Sequence, residues 1–518
     1  MTEYLLGVDA GNTMVKAALF DLSGQPVTVA ARNSTTHQPA PHCVERSPEE
    51  LWAAAAGAIR DCLAQSGVAP GAIRAVGASG HGNGLYLLDR DGRGLIGIQS
   101  MDSRAEALAG RIGAQAGSRI AAIAHSRPWP AMTPVLLAWL AQERPEVIER
   151  AGHVLLCKDV VVQGLTGRIG SDFSDLAGCG LLALPGLRYD TALLDLYGIA
   201  EQRRLLPEPA ASHDVVGRVT ATAAATTGLA QGTPVVAGLF DVLASSLGAG
   251  TARVGEASIV AGSWSINQTF AAELPKVPRA LLATVLGNDV WVSCEASPTS
   301  AANLEWFVQQ FLAGEAAATG TDPFKLCNEL AAGSDPATAD LPVFHPYLYA
   351  GPVPGARGGF NGLGSWHSRG DMVRALYEGV AFHHRAHMAV IDPDHRFATA
   401  TLSGGAAKSP LWAQIFADVL GMHLRIADCE ETGARGAAMA AGIGAGLFSS
   451  YSEAADTMAA ATSEVCPDPV AQARLDDRYG RWCAYRDALT RVWTAPARAE
   501  PLPLKADDTQ EHERMIHG

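Results

Sequence analysis

Short apolar runs that stop abruptly at Gly, Asp or Ser recur in both halves of this chain, and they limit its fold more than any other feature. Tyr4–Val8 runs into Asp9-Ala10-Gly11-Asn12-Thr13, Ile73–Ala78 into Ser79-Gly80-His81-Gly82-Asn83-Gly84, and Val235–Phe240 into Asp241. Later, Ala257–Ala261 meets Gly262-Ser263, and Thr399–Leu402 meets Ser403-Gly404-Gly405. Runs of this length between turn residues read as buried strands. Helical stretches lie between them, so the expected class is α/β, with ligands at the carboxyl ends of the strands. The chain has 518 residues, more than the roughly 250–300 that one core serves. Two large domains are therefore expected. They look like a loose duplication, with no repeat at fixed period.

Other elements are signalled locally. Val15–Phe20 reads as a second strand closed by the turn Asp21-Leu22-Ser23-Gly24, and Leu85–Leu88 as a strand before the turn Asp89-Arg90-Asp91-Gly92. Ser47 caps a helix that Pro48 opens and that runs to about Ala64, as capping preferences require. A helix over Thr133–Gln142, an Ala/Thr-rich stretch from Thr220 stopped by Gly228, and a small-residue helix over Ala244–Ala249 follow. Ser409, Pro410 and Gly421 bracket another, with Leu411, Trp412, Ile415, Phe416, Val419 and Leu420 as its buried stripe. Leu475, Tyr479, Trp482, Leu489 and Trp493 predict a helix packed across one domain, and a disordered tail is expected after Pro496.

Several function classes drop out. A net charge of -14 disfavours a nucleic-acid partner. No apolar stretch is long enough for a membrane span, and the first residues lack a secretory pattern. Nine scattered cysteines without a Cys-x-x-Cys pair suggest reduced thiols and a cytoplasmic location. There is no Gly-x-x-x-x-Gly-Lys-Ser/Thr loop, and Gly80-His81-Gly82-Asn83-Gly84 has the wrong spacing for a dinucleotide fingerprint.

Four strand ends carry chemistry. At the first, Gly11 lets the backbone approach a ligand, and the Asn12-Thr13 turn with Lys16 offers donors to phosphate oxygens. Asp9 can hold Mg²⁺; its bland role is to cap a hairpin turn. At the second, Asp241 can accept a proton from an attacking hydroxyl, or can simply cap the next helix. Gly262-Ser263 can touch a terminal phosphate, or form an ordinary tight turn. Gly404 and Gly405 permit close approach to a nucleotide, with free amides on the following helix.

Together these residues resemble the FGGY carbohydrate kinases of the actin-like ATPase superfamily, from Leu5 to about Leu447. Asp9-x-Gly11-Asn12-Thr13-x-x-Lys16 is similar to the family's first phosphate motif, Gly262-Ser263-Trp264 to its second, and Ser403-Gly404-Gly405 through Trp412 to its adenosine motif. Gly238-Leu239-Phe240-Asp241 resembles the segment bearing the catalytic base. Gly358-Gly359-Phe360-Asn361-Gly362-Leu363, followed by Asp371-Met372 and Ala375-Leu376-Tyr377-Glu378, resembles the C-terminal signature, and Met132-Thr133-Pro134 with Trp139 the N-terminal one. Gly84-Leu85-Tyr86-Leu87-Leu88-Asp89 and Glu295-Ala296-Ser297-Pro298-Thr299-Ser300 through Trp306 resemble the branch that includes L-xylulose and erythritol kinases.

The resemblance implies two ribonuclease H-like domains, each a mixed sheet flanked by helices, around a cleft. The expected division is 1–250 for the sugar, 251–447 for the nucleotide, a helical segment over 448–496 and a flexible tail over 497–518. It implies ATP and Mg²⁺ as cofactors. Gly11, Asn12, Thr13, Lys16, Gly262, Ser263, Gly404, Gly405 and Ser409 would serve ATP, and Asp9 the metal. His81, Asp102, Arg104 and Asp241 would hold a small ketose, with a xylulose-type ketopentose expected and Asp241 as base. An erythritol-like polyol or another pentulose is the alternative acceptor, and a homodimer the assembly common in the family. An actin-like chaperone or filament ATPase is the alternative class; it would need no acid and arginine beside a sugar.

Overall fold

A computed structural model describes residues 2–287, 289–338, 340–428, 430–459 and 461–495. The tail expected over 497–518 lies outside the described residues. Two seven-stranded mixed sheets organise the chain. The first runs in the order Val215–Arg218, Pro234–Val236, Ile73–Gly80, Tyr4–Ala10, Met14–Asp21, Pro26–Asn33, with Leu239–Phe240 also paired to Ile73–Gly80. Tyr4–Ala10 is antiparallel to Met14–Asp21 and parallel to Ile73–Gly80. The second runs Leu282–Leu286, Val290–Ser297, Ser265–Ala271, Ala257–Ala261, Thr399–Ser403, His423–Ala427, Ala461–Val465. The two-domain α/β expectation holds, with parallel and antiparallel pairs mixed in both sheets.

Local signals place the helices. Ser47 accepts the Glu50 N–H at 3.1 Å and Glu50 accepts the Ser47 N–H at 2.8 Å. This reciprocal cap starts Pro48–Ser66, and Gly67 ends it at φ 66°. Ser409 caps Pro410–Leu420 one way only, its hydroxyl accepting the Trp412 N–H. Pro469–Trp493 lays Leu475 and Trp482 into the second core, and the Trp482 indole donates to the Phe344 carbonyl at 3.0 Å. The expected helix across one domain is present.

Other elements carry weak signals. Pro26–Asn33 is an edge strand that is mostly exposed, so it lacks an apolar run. Glu106–Ala124 and Thr432–Gly444 are built from Ala, Gly and few large residues, which blurs their apolar face. The latter helix nevertheless positions the site. It lies against the first sheet so closely that a Cβ on Gly7 would fall 1.8 Å from the Ala434 carbonyl oxygen, and one on Gly77 2.0 Å from that of Ala437. On its other flank, a Cβ on Gly436 would meet the Ala244 carbonyl oxygen at 2.0 Å. Backbone cannot yield as a flexible side chain does. Gly436→Ala is therefore expected to destabilise the fold by about 1–3 kcal/mol through overpacking, read as a lower urea midpoint.

The eight described cysteines are all unpaired. No helix among the described residues is long and apolar enough to cross a membrane.

Candidate active site

The register of the first sheet gathers the strand ends. Asp9 pairs with Ser79, and Ser79 with Leu239, so these three lie in one row. Asp241 follows two residues beyond Leu239. Two strand spacings, roughly 10 Å of backbone, therefore separate the first hairpin turn from Asp241. That turn is tight: the Gly11 N–H donates to the Met14 carbonyl at 3.0 Å, with Thr13 exposed at its tip.

Asp241 is the first residue of helix Asp241–Gly248, and Phe240 takes the cap position. Its carboxylate is partly buried and pushed up to about 7, first by withdrawal from water and then by the Asp9 charge. The N–H groups of Val242 and Gly82 pull weakly the other way. Gly82 is glycine for a local reason: a Cβ there would strike the Phe240 ring. Asp9 is also raised, chiefly by burial, against a 3.0 Å hydrogen bond from the Ser79 hydroxyl and the Lys16 charge. Lys16, opposite Asp9 across the hairpin, forms an ion pair with Glu431 at 2.9 Å.

His81 is buried, with Nε2 3.2 Å from the Tyr86 hydroxyl. Burial, then the Arg46 charge, hold it near pKa 3, so it is a neutral imidazole. Arg46 is fully buried and reaches the Gly11 carbonyl at 3.1 Å and the Tyr86 hydroxyl at 2.9 Å. It ties the floor under His81 to the first turn. Asp102 and Arg104 form a two-pronged pair at 2.9 and 2.8 Å. Arg104 also meets Glu45 at 2.8 Å and lies over the Trp139 ring, while Asp102 accepts the Val44 N–H at 2.6 Å. Several buried acceptors nearby have no hydrogen-bond partner: Asn12 Oδ1, Asn83 Oδ1, Gln99 Oε1 and both carboxyl oxygens of Asp175. Buried polar atoms are rarely left so.

Sequence reasoning missed a charged cluster behind Asp241. Lys158 is fully buried with Asp159 at 2.5 Å, Asp172 at 2.9 Å and Asp175 at 3.8 Å. Burial pulls the ammonium down, but the three carboxylates outweigh it and push it up. Asp175 is held well above the usual carboxylate range, first by burial, and the Asp172, Asp159 and Asp241 charges add to this against Lys158. Ser174, beside it, accepts the Phe240 N–H at 3.1 Å and so fixes the strand end that carries Asp241. The available signal was Lys158-Asp159 embedded in the otherwise apolar run Leu155–Val162.

The remaining strand ends lie on the second sheet. Gly404, at φ 88°, packs on Ala261 and Gly262, where a Cβ would sit 2.7 Å from backbone. This brings the Gly262-Ser263 turn, with Ser263 exposed, beside Gly404-Gly405. A cavity of about 1080 Å³ opens there, lined by Lys16, Gly404, Gly405, Ser409 and Thr432 among others. Lys16 belongs to the first sheet and the two glycines to the second, so the cavity joins both halves. Lys408 sits at its rim, paired with Glu430 at 2.6 Å.

Residues 4–248 match the FGGY family of carbohydrate kinases, N-terminal domain, and residues 257–445 its C-terminal domain. The chain is 33% identical over 491 residues to the L-xylulose/3-keto-L-gulonate kinase of Escherichia coli, spanning 93% of this chain and 96% of that one. It is 34% identical over 498 residues to a probable L-xylulose kinase of Pasteurella multocida, spanning 94% and 99%. The crystal structure of xylulose kinase from Rhodospirillum rubrum superposes with a TM-score of 0.85 at 27% identity, over 95% of this chain and 100% of that one. With both of its domains matched, the chain belongs to the FGGY family of carbohydrate kinases.

Proposed function

We propose that this phosphotransferase acts on a small ketose of the xylulose type, with Asp241 as the general base. The observation that carries the reading is the Asp241 carboxylate, raised to about 7 at a strand end that faces the first turn. A base with a pKa near the working pH combines the required ionised form with useful proton affinity. FGGY kinases use ATP as phosphate donor. In this reading residues 1–250 hold the sugar and 251–447 the nucleotide. Gly11, Asn12, Thr13, Lys16, Gly262 and Ser263 position the phosphates, and Gly404 and Gly405 admit the nucleoside. Lys16 exchanges Glu431 for phosphate.

Asp9 suits Mg²⁺: it is a hard oxygen donor, withdrawn from water and only partly compensated by Lys16 and Ser79. When bound there, the ion would supply neutralisation of phosphate charge. His81, as a neutral ring, offers hydrogen bonds to sugar hydroxyls without adding charge. Asp102 and Arg104 shape the pocket wall as a pair, because each occupies much of the other's hydrogen-bonding capacity. Closure would exclude water, which competes as acceptor.

The test is ADP release by purified protein with ATP and a panel of L-xylulose, D-xylulose, D-ribulose, L-fuculose and erythritol. The expected outcome is the highest kcat/KM with a xylulose. A clear preference for erythritol or for no ketopentose would overturn the acceptor assignment.

A further inference from the structure

Helix Pro323–Ala332 lines the large cavity through Phe324, Lys325 and Asn328, with Phe324 and Asn328 one turn apart. Phe324 is 43% exposed, an aromatic face left open to the cavity. Asn328 is held in one orientation by a chain of directed hydrogen bonds. The Trp412 N–H donates to the Ser409 hydroxyl oxygen at 3.1 Å, as an N-cap requires. The Ser409 hydrogen is then left to donate onward, and it does so to Asn328 Oδ1 at 2.6 Å. The Tyr377 hydroxyl donates to the same oxygen at 2.8 Å, its ring held by stacking on Trp412 at 4.4 Å and 10°. A carbonyl oxygen has two lone pairs, and both are taken. The amide orientation is therefore set by its partners. Asn328 Nδ2, with two N–H donors, has no hydrogen-bond partner among the described residues.

We propose that Asn328 is a nucleobase-reading residue, donating from Nδ2 to a ring nitrogen of adenine that lies against Phe324. The assignment rests on the nucleotide reading of this cavity. It also gives Ser409 a distinct task. Its hydroxyl is committed to the cap and to Asn328, so it acts on the nucleotide by orienting Asn328, as a positioning residue.

The test measures equilibrium binding of ATP and of 1-deaza-, 3-deaza- and 7-deaza-ATP, without acceptor, to the full chain, Asn328→Ala and Asn328→Asp. One deaza analogue should bind the wild-type protein about 3–10-fold more weakly than ATP, the range of one neutral hydrogen bond. In Asn328→Ala that analogue and ATP should bind equally. Asn328→Asp keeps both hydroxyl partners but removes the donors. It should melt like the wild type and lose at least as much ATP affinity as the alanine variant. An unchanged analogue pattern in Asn328→Ala, or full ATP affinity in Asn328→Asp, overturns the assignment while leaving the nucleotide site standing. Absence of ATP binding by the wild-type protein overturns both.

Discussion

Asp241→Asn lowers turnover by ~10²–10⁴-fold, the usual worth of general-base help, while ATP binding stays close to normal. The amide is isosteric and neutral, and it cannot accept the proton of an attacking hydroxyl. Because the Asp241 carboxylate is raised to about 7, the parent enzyme should show an acidic limb in kcat/KM with an apparent pKa near that value. The sign follows from the role: below about 7 the group is protonated and cannot act as base, so activity rises with pH through the limb and then levels. Single-turnover kinetics separate the chemical step from product release. Near-normal single-turnover rates in the variant would remove Asp241 from the chemistry.

Lys158→Met should be the most damaging substitution for the fold. Methionine matches the length of the stem but leaves Asp159, Asp172 and Asp175 buried without their shared cation. Removing one partner of a buried ion cluster costs about 3–5 kcal/mol, against the few tenths typical of surface changes. Burial already raises Asp159 and Asp175, and loss of the ammonium raises them further. Carboxyls raised in the folded state favour folding while protonated, and that advantage is lost as pH rises through their folded pKa values. The deficit of the variant is therefore expected to shrink as pH falls toward the ordinary carboxylate range and to be largest near neutrality. Urea midpoints measured across that range would show it. A pH-independent deficit would mean that packing, not charge, is what the lysine provides.

Much of the candidate site is legible in the sequence because most of its parts are strand ends, and strand ends announce themselves. An apolar run must stop somewhere, and Asp9, Asp241, Gly262 and Gly404 mark the stops. Helix caps were equally legible at Ser47 and Ser409, where side chain and backbone satisfy one another within a few residues. What stayed hidden depends on distant pairing. Lys158 and Asp172 are fourteen positions apart and become partners only when strand and helix close around them. Asn328 lies on an unremarked helix, and its orientation comes from Tyr377 and Ser409, far along the chain. Asp102 and Arg104 could be read as candidate sugar contacts. Their commitment to each other and to Glu45 could not.

Thr432–Gly444 comes late in the chain yet rests on the sheet that the earliest residues build, with backbone touching backbone at Gly7 and Gly77. A single cut between the first sheet and this helix therefore leaves neither piece with its own packing intact. A fragment ending after residue 250 would expose a bare glycine-floored groove to water, and the complementary fragment would carry an orphan rod of small residues. Synthesis must run on through Thr432–Gly444 before the first sheet is covered, so the nascent chain has to keep that groove from sticking to its neighbours until this helix emerges.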